Sequence, residues 1–393
     1  MRILVCPLDW GLGHATRSIP LIRALLENGH EVRIGASGGG KCLLQGEFPN
    51  LEVFDFPGYR VRYSRSPAFF LPVMLAQLPR VLAGMISEAR RLHRILAERP
   101  CDLVISDGRY GVFTREMPCV FITHQVFIRV PGRFPGAGAM ERLLLALNLR
   151  LLRRFARVWV PDFPGKRNLS GDLSHKTGGP GNLEFIHPLS RFSTNGDEPA
   201  HVNFLAMVSG PEPQRGLFEQ ALRKQLEALE GTRVLVRGLP EGSDGQAAIR
   251  GIGDIRIGAL TEFDHLSGPD LARLFRGADL IVARSGYTTV MELAGIHARA
   301  VVLVPTPGQS EQEYLADHLE ASGSAVKMDQ GSFDLHKARE RVRGGKGFAG
   351  WMGVAPSEGM RSFSLSTFIA EHALLGGSGI RSNPIPMPKA REL

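Results

Sequence analysis

Cysteine is scarce in this chain. There are four in 393 residues (Cys6, Cys42, Cys101, Cys119), and none stands in a CxxC pair. That spacing excludes a disulfide scaffold and a thiol-built zinc site, and three of the four lie in or beside apolar runs. They are expected to be reduced core residues of a cytosolic protein. No HxxxH and no Asp-x-Asp occurs either, so no metal is expected. Aromatic residues make up only 7% of the chain, and no recognised nucleic-acid module is present, so nucleic acid is not expected as a partner. No basic leader precedes the strand-like Arg2–Cys6, and no signal peptide is expected. Long apolar runs are missing as well. The best candidate, residues 66–79, is broken by Pro67, Pro72 and Pro79 and falls short of the roughly twenty residues a membrane-crossing helix needs.

What is present is a globular composition, 43% hydrophobic, with a net charge of +8. The length points to two domains. A basic balance suits nucleic acid, an acidic membrane surface or a phosphorylated substrate. Basic residues gather beside apolar ones in 88–94 and 149–157, as in amphipathic helices. Such helices carry either a solvated basic face over a core stripe or a peripheral membrane contact.

In chain order, strand Arg2–Cys6, a loop with Gly11, Gly13 and His14, a helix over 16–27 and strand Glu31–Ile34 open a Rossmann-like unit. Thr16 stands where the third glycine of a dinucleotide fingerprint belongs, which argues against a dehydrogenase. Strands are predicted at 51–54, 103–106, 119–123 and 158–160, with helices near 73–98 and 139–154. A polar segment, 190–200, reads as a linker. The series restarts with strands at 203–208, 233–236 and 255–257, and ends with a strand at 325–327, a helix at 362–375 and a Gly- and Pro-rich tail.

The second half centres on 278–317. Strand Leu280–Ala283 runs into Arg284-Ser285-Gly286, a helix begins at Tyr287, strand Ala300–Val304 follows, and another helix starts at Glu311. Polar residues thus collect at the carboxyl ends of neighbouring strands, where open α/β sheets bind ligands. Gly286 permits close backbone approach, and the helix start behind it attracts anions. Ser285, Thr288 and Thr289 add hydroxyls, and Glu292 stands where a carboxylate can hold a ribose diol. Singly, these are ordinary caps or solvated residues. As a set they point to a nucleotide diphosphate.

Arg284-Ser285-Gly286, Thr289, Glu292, Val304-Pro305 and Gln312-Glu313-Tyr314 together resemble glycosyltransferase family 28, whose members include peptidoglycan-building enzymes. The resemblance implies the GT-B architecture, two Rossmann-like α/β domains facing each other across a cleft. Residues 1–195 would form the acceptor domain, 196–375 the nucleotide-sugar domain and 376–393 a flexible tail. It also implies roles: Ser285 and Gly286 at the diphosphate, Glu292 on ribose, Gln312 on the donor sugar. Glu313 replaces the second glutamine of the family's pair. Gly210 and Arg215 are further donor-side candidates, Arg215 for a phosphate.

Gly13-His14 resembles the Gly-Gly-His turn of the same family, and Gly11-Leu-Gly-His-Ala-Thr-Arg17 also resembles the GxGHxxR loop of related nucleotide-sugar hydrolases. His14, neutral at a helix start, would be a general base. Arg17, Asp107 and His124 complete the expected first-domain side, with Arg17 either holding an acceptor phosphate or covering its helix. Three classes stay open: a transferase using a UDP-sugar, a hydrolase or epimerase of the nucleotide sugar, and a binding subunit. The expected partners are a nucleotide sugar as co-substrate, with no separate cofactor, and an acceptor for which a lipid-linked molecule is one identity. Residues 66–79 would then be an apolar lip for that acceptor or the entry to a core helix. The expected location is the cytoplasm, with the inner face of the membrane as a docking surface.

Overall fold

The computed structural model describes residues 1–59, 73, 76–130, 136–192, 197–210, 212–239, 251–345 and 347–348. The expected apolar lip, the helix at 362–375 and the tail lie wholly or mostly outside the described residues. Two parallel sheets build the molecule. The first contains β1 (Arg2–Pro7), β2 (Glu31–Ala36), β3 (Val53–Asp55), β4 (Leu103–Asp107), β5 (Cys119–Ile122), β6 (Arg157–Val160) and β7 (Leu183–Phe185), in the order β3-β2-β1-β4-β5-β6-β7. Between them run α1 (Gly13–Glu27), α2 (Gly38–Glu47), α3 (Leu78–Glu98) and α4 (Ala137–Leu152).

The second sheet repeats the plan. It holds β8 (Val202–Met207), β9 (Arg233–Val236), β10 (Leu260–Phe263), β11 (Ala278–Ala283), β12 (Val301–Leu303) and β13 (Val326–Lys327), ordered β10-β9-β8-β11-β12-β13. Its helices are α5 (Gln214–Glu227), α6 (Gly268–Gly277), α7 (Tyr287–Gly295), α8 (Ser310–Ala321) and α9 (Leu335–Val342). In both sheets the strand order reverses beside the first strand, β1 against β4 and β8 against β11, and open α/β sheets take ligands at that crevice.

Side-chain alternation explains the layers. On β1, Ile3 and Val5 pack with Ile19, Ile22 and Leu25 of α1, while Leu4 and Cys6 pack with Leu92 and Ile95 of α3. The strands are buried on both faces, so they read as continuous apolar runs. The cluster containing Ile3 and Val5 also takes in Trp159, Tyr287, Val290 and Leu293, so one apolar core spans both domains.

Several elements depart from the sequence expectation. The strand expected at 255–257 is absent, and Ile257 is 94% exposed. The sheet takes Leu260–Phe263 instead, because Thr261 and Phe263 put two buried side chains on one face after the left-handed turn at Gly258. The α2 helix is hidden by its sequence, GGGKCLLQGE, which scores poorly as helix. Its glycines serve packing: a Cβ on Gly40 would stand 3.2 Å from the Ala15 Cβ on α1. The sequence reading also passes over α6, although Ser267 caps it by accepting from the Asp270 amide at 3.2 Å and Pro269 stands in its first turn.

Candidate active site between the domains

The loops after β1, β4 and β5 place His14, Asp107 and His124 at one edge of the first sheet. Asp107 ends β4 and is level with Pro7 of β1. It is fully buried. Its carboxylate accepts from the His14 Nδ1 side at 3.0 Å and is gripped by both arms of Arg17, through Nε to Oδ2 at 2.8 Å and through Nη2 to Oδ1. Burial alone would raise the Asp107 carboxyl, but Arg17 and His14 beside it outweigh that and hold it well below the usual carboxylate range. The His14 imidazole is shifted down as well. Burial and the Arg17 charge lower its pKa, with Asp107 opposing them.

Arg17, expected either to hold an acceptor phosphate or to cover its helix, is turned inward. It is 2% exposed, committed to Asp107, and its Nη1 donates to His124 Nδ1 at 3.2 Å. Because guanidinium can only donate, His124 Nδ1 is the accepting nitrogen. Its Nε2–H then donates to Glu311 Oε1 of α8 at 2.8 Å, across the domain boundary. The His124 ring lies flat on Tyr287, with centroids 4.1 Å apart and 1° between the planes. Tyr287 in turn donates its hydroxyl to the Pro161 carbonyl at 2.9 Å. Neither Tyr287 nor Glu311 is picked out as a site residue by the sequence. The signal available was their position beside Gly286 and Gln312.

On the second domain, the loop after β11 behaves differently from the simple expectation. Ser285 is buried, and its hydroxyl donates to the Gln312 carbonyl at 2.7 Å, tying α8 to the start of α7 rather than facing outward. Gly286 precedes α7, and the space where its Cβ would stand has no atom within 4 Å. Thr288 donates to the Gly13 carbonyl at 3.1 Å, so the first turns of α1 and α7 meet. Thr289 is buried on the same helix. Glu292, 3% exposed, is bonded to Arg191 Nε at 2.6 Å. Arg191 comes from the connection between the domains and was not anticipated. With Phe192, Gly268, Pro269 and Ala272 it lines a cavity of about 220 Å³.

The remaining donor-side candidates are engaged locally. Gln312 accepts from the Thr306 amide at 2.9 Å and donates to Gln309 at 2.6 Å, and Glu313 accepts from the Gly308 amide at 3.0 Å. Both brace the turn after β12. Arg215 is not free for a phosphate: its guanidinium is held by Glu212, Glu219 and the Arg237 carbonyl. Gly11 and Gly210 adopt left-handed conformations, φ 73° and 101°, at the ends of β1 and β8, with no atom within 4 Å of an added Cβ. Among the described residues no three His, Cys, Asp or Glu side chains converge as a metal cage.

Residues 266–344, which contain this second-domain loop system, match the glycosyltransferase family 28 C-terminal domain. The second domain is similar to the C-terminal domain of glycosyltransferase family 28. An uncharacterized glycosyltransferase of Methanosarcina acetivorans is 26% identical over 359 residues, covering 84% of each chain. The UDP-N-acetylglucosamine--N-acetylmuramyl-(pentapeptide) pyrophosphoryl-undecaprenol N-acetylglucosamine transferase of Haemophilus ducreyi is 31% identical over 203 residues, 50% of this chain and 51% of that one. Among solved structures, the spinosyn rhamnosyltransferase SpnG complexed with thymidine diphosphate superposes with a TM-score of 0.58 at 18% identity, covering 95% of this chain and all of the other. The glycotransferase of kitacinnamycin gives 0.63 at 16% identity, covering 95% and 98%. The fold of this glycosyltransferase is GT-B, as its two sheets and paired strand orders require.

Proposed function

We propose that this glycosyltransferase moves a hexose from a UDP-sugar to an acceptor hydroxyl without a metal, with His14 as general base. The observation that carries the reading is the meeting of two helix N-termini, α1 at Gly13 and α7 at Thr288, beside the His14–Asp107 pair. Each helix start carries partial positive charge and unpaired amides, a setting for a leaving diphosphate. At Gly286, open in front of α7, the protein backbone would come close to the diphosphate.

His14 Nδ1 lies 3.0 Å from both Asp107 Oδ1 and Arg17 Nη2; in the tautomer that directs Nδ1–H to the ionised Asp107, Nε2 is left with a lone pair. It takes the acceptor hydroxyl's proton as that oxygen attacks the anomeric carbon and the bond to the diphosphate breaks. Glu292 holds the ribose by exchanging part of its bond to Arg191 for sugar hydroxyls, and the cavity beside Arg191 receives the base. The relatives named as transferases favour transfer over hydrolysis or epimerisation. The Haemophilus ducreyi relative's name includes a pyrophosphoryl-undecaprenol, which supports a lipid-linked acceptor here and contact with the inner membrane face. No helix among the described residues is long and apolar enough to cross a membrane.

The test is release of nucleoside diphosphate from a panel of UDP- and dTDP-sugars, with and without bacterial lipid extract. Release stimulated by the extract supports transfer to a lipid acceptor. Equal release in both conditions contradicts the lipid acceptor, and no release from any sugar contradicts the donor reading.

A further inference from the structure

Arg284 closes β11 with no accessible surface at all. Its Nη1 donates to the Val304 and Pro305 carbonyls, both at 3.2 Å, and its Nη2 donates to the Gln214 carbonyl at 3.0 Å and to Gln330 Oε1 at 2.7 Å. The guanidinium lies 4.0 Å over the Phe218 ring, and its Nε has no partner. No carboxylate among the described residues pairs with it. Other buried arginines are compensated, Arg17 by Asp107 and Arg109 by Glu88 at 2.6 Å, and the half-buried Arg191 is paired with Glu292 at 2.6 Å. Arg233 also has no acid partner among the described residues, but it donates to the Leu226 and Leu229 carbonyls at the negative end of α5. Arg284 instead bonds Gln214, the first residue of that helix, at its positive end.

An uncompensated buried cation is costly unless something supplies the missing charge. Burial pushes the Arg284 guanidinium down to about 9, still charged at neutral pH. Its four acceptors belong to the segments after β8, β12 and β13, and its own backbone leads into Ser285-Gly286. These segments frame the carboxyl edge of the second sheet.

We propose that Arg284 is a positioning residue for the donor diphosphate: it ties together the loops around that anion, and the bound diphosphate supplies the counter-charge the fold withholds. The inference rests on the donor-site reading above. Fixed charge in a poorly hydrated site acts strongly on a nearby anion. Supplying the counter-ion from the protein should therefore remove the advantage.

Gln330→Glu does this while keeping the hydrogen bond to Arg284 Nη2. Full-length parent, Q330E, R284K and E292Q are titrated calorimetrically with UDP, UMP and uridine, and dTDP is titrated into the parent. Thermal unfolding is followed in parallel. Q330E is expected to unfold at the parental temperature or above while UDP affinity falls about 10-fold, UMP less, and uridine not at all. R284K, which keeps the charge but not the fork, should keep most UDP affinity. A brace without an electrostatic role predicts parental UDP affinity in Q330E, or equal losses for UDP and uridine, and either result overturns the proposal. If E292Q weakens UDP while Q330E does not, the Arg284 inference fails and the donor site stands. If neither UDP nor dTDP binds the parent, the donor site fails and this inference with it.

Discussion

With Arg17 and His14 sharing one buried carboxylate, the imidazole can direct Nδ1–H to Asp107 and keep Nε2 for a substrate proton. Burial, reinforced by Arg17, lowers the His14 pKa from 6.5, so the base form persists where a free histidine would be charged. The acid limb of kcat/KM is therefore expected below pH 6.5. The stability sign follows from the same shift. Below pH 6.5 the unfolded chain binds a proton that the folded site resists, so stability declines as pH falls from there to the lowered folded value. Asp107→Asn removes the partner that raises the His14 pKa and fixes its tautomer. Turnover should drop toward the loss of the base itself, about 10²–10⁴-fold, with the limb moved lower. A pH–rate profile of D107N that overlays the parent's would count against the pair. Glu292→Gln tests the other domain. Losing a charge-assisted acceptor costs about 1.5–3 kcal/mol, which should appear as a 10-fold or larger rise in the UDP dissociation constant. Parental affinity in calorimetry would remove the ribose assignment.

At the scale of elements, α3 and α4 leave an unusual surface. Leu78, Leu82 and Ile86 recur every fourth residue along α3, each at least half exposed, and Leu143 and Leu147 do the same on α4. Four-residue spacing puts each set on one helix face. Arg80, Arg90, Arg91 and Arg94 lie on the same α3 helix. Such a face suits the headgroup boundary of an acidic bilayer. Replacing Leu78, Leu82 and Ile86 with serine should abolish sedimentation with phosphatidylglycerol vesicles without lowering the melting temperature. Unchanged sedimentation would leave this stripe without a membrane role. The elements also show what sequence can reveal. Strands such as LVISD and ADLIVA were legible because burial on both faces writes a continuous apolar run. The α2 helix was not, since its glycines reflect contact with α1, and Ile255–Ile257 misled because three residues of alternation mark a strand weakly. The Gly-His and Ser-Gly segments were legible as strand-to-helix loops. The Arg191–Glu292 bond, the His124–Tyr287 stack and the His124–Glu311 bond were not, because each joins residues about a hundred or more positions apart.

For the molecule as a whole, these long-range contacts hold the two domains face to face. Ser310 donates to the Arg129 carbonyl at 2.9 Å, the Arg129 guanidinium lies 4.0 Å over the Tyr314 ring, and Thr288 bonds Gly13. A Cβ on Gly13 would stand 3.0 Å from the Thr288 hydroxyl, so the two loops already touch where the account places the reaction. The proposed division of labour gives nucleotide binding to the second domain and the base to the first. Replacing His14 with alanine separates the two. The most direct measurement is single-turnover sugar transfer by H14A, set beside UDP affinity of the same preparation by calorimetry, using the donor that the parent accepts. The account predicts that transfer falls about 10²–10⁴-fold while UDP affinity stays parental. Transfer at the parental rate would contradict it, and would leave the His14 loop as a structural turn between β1 and α1.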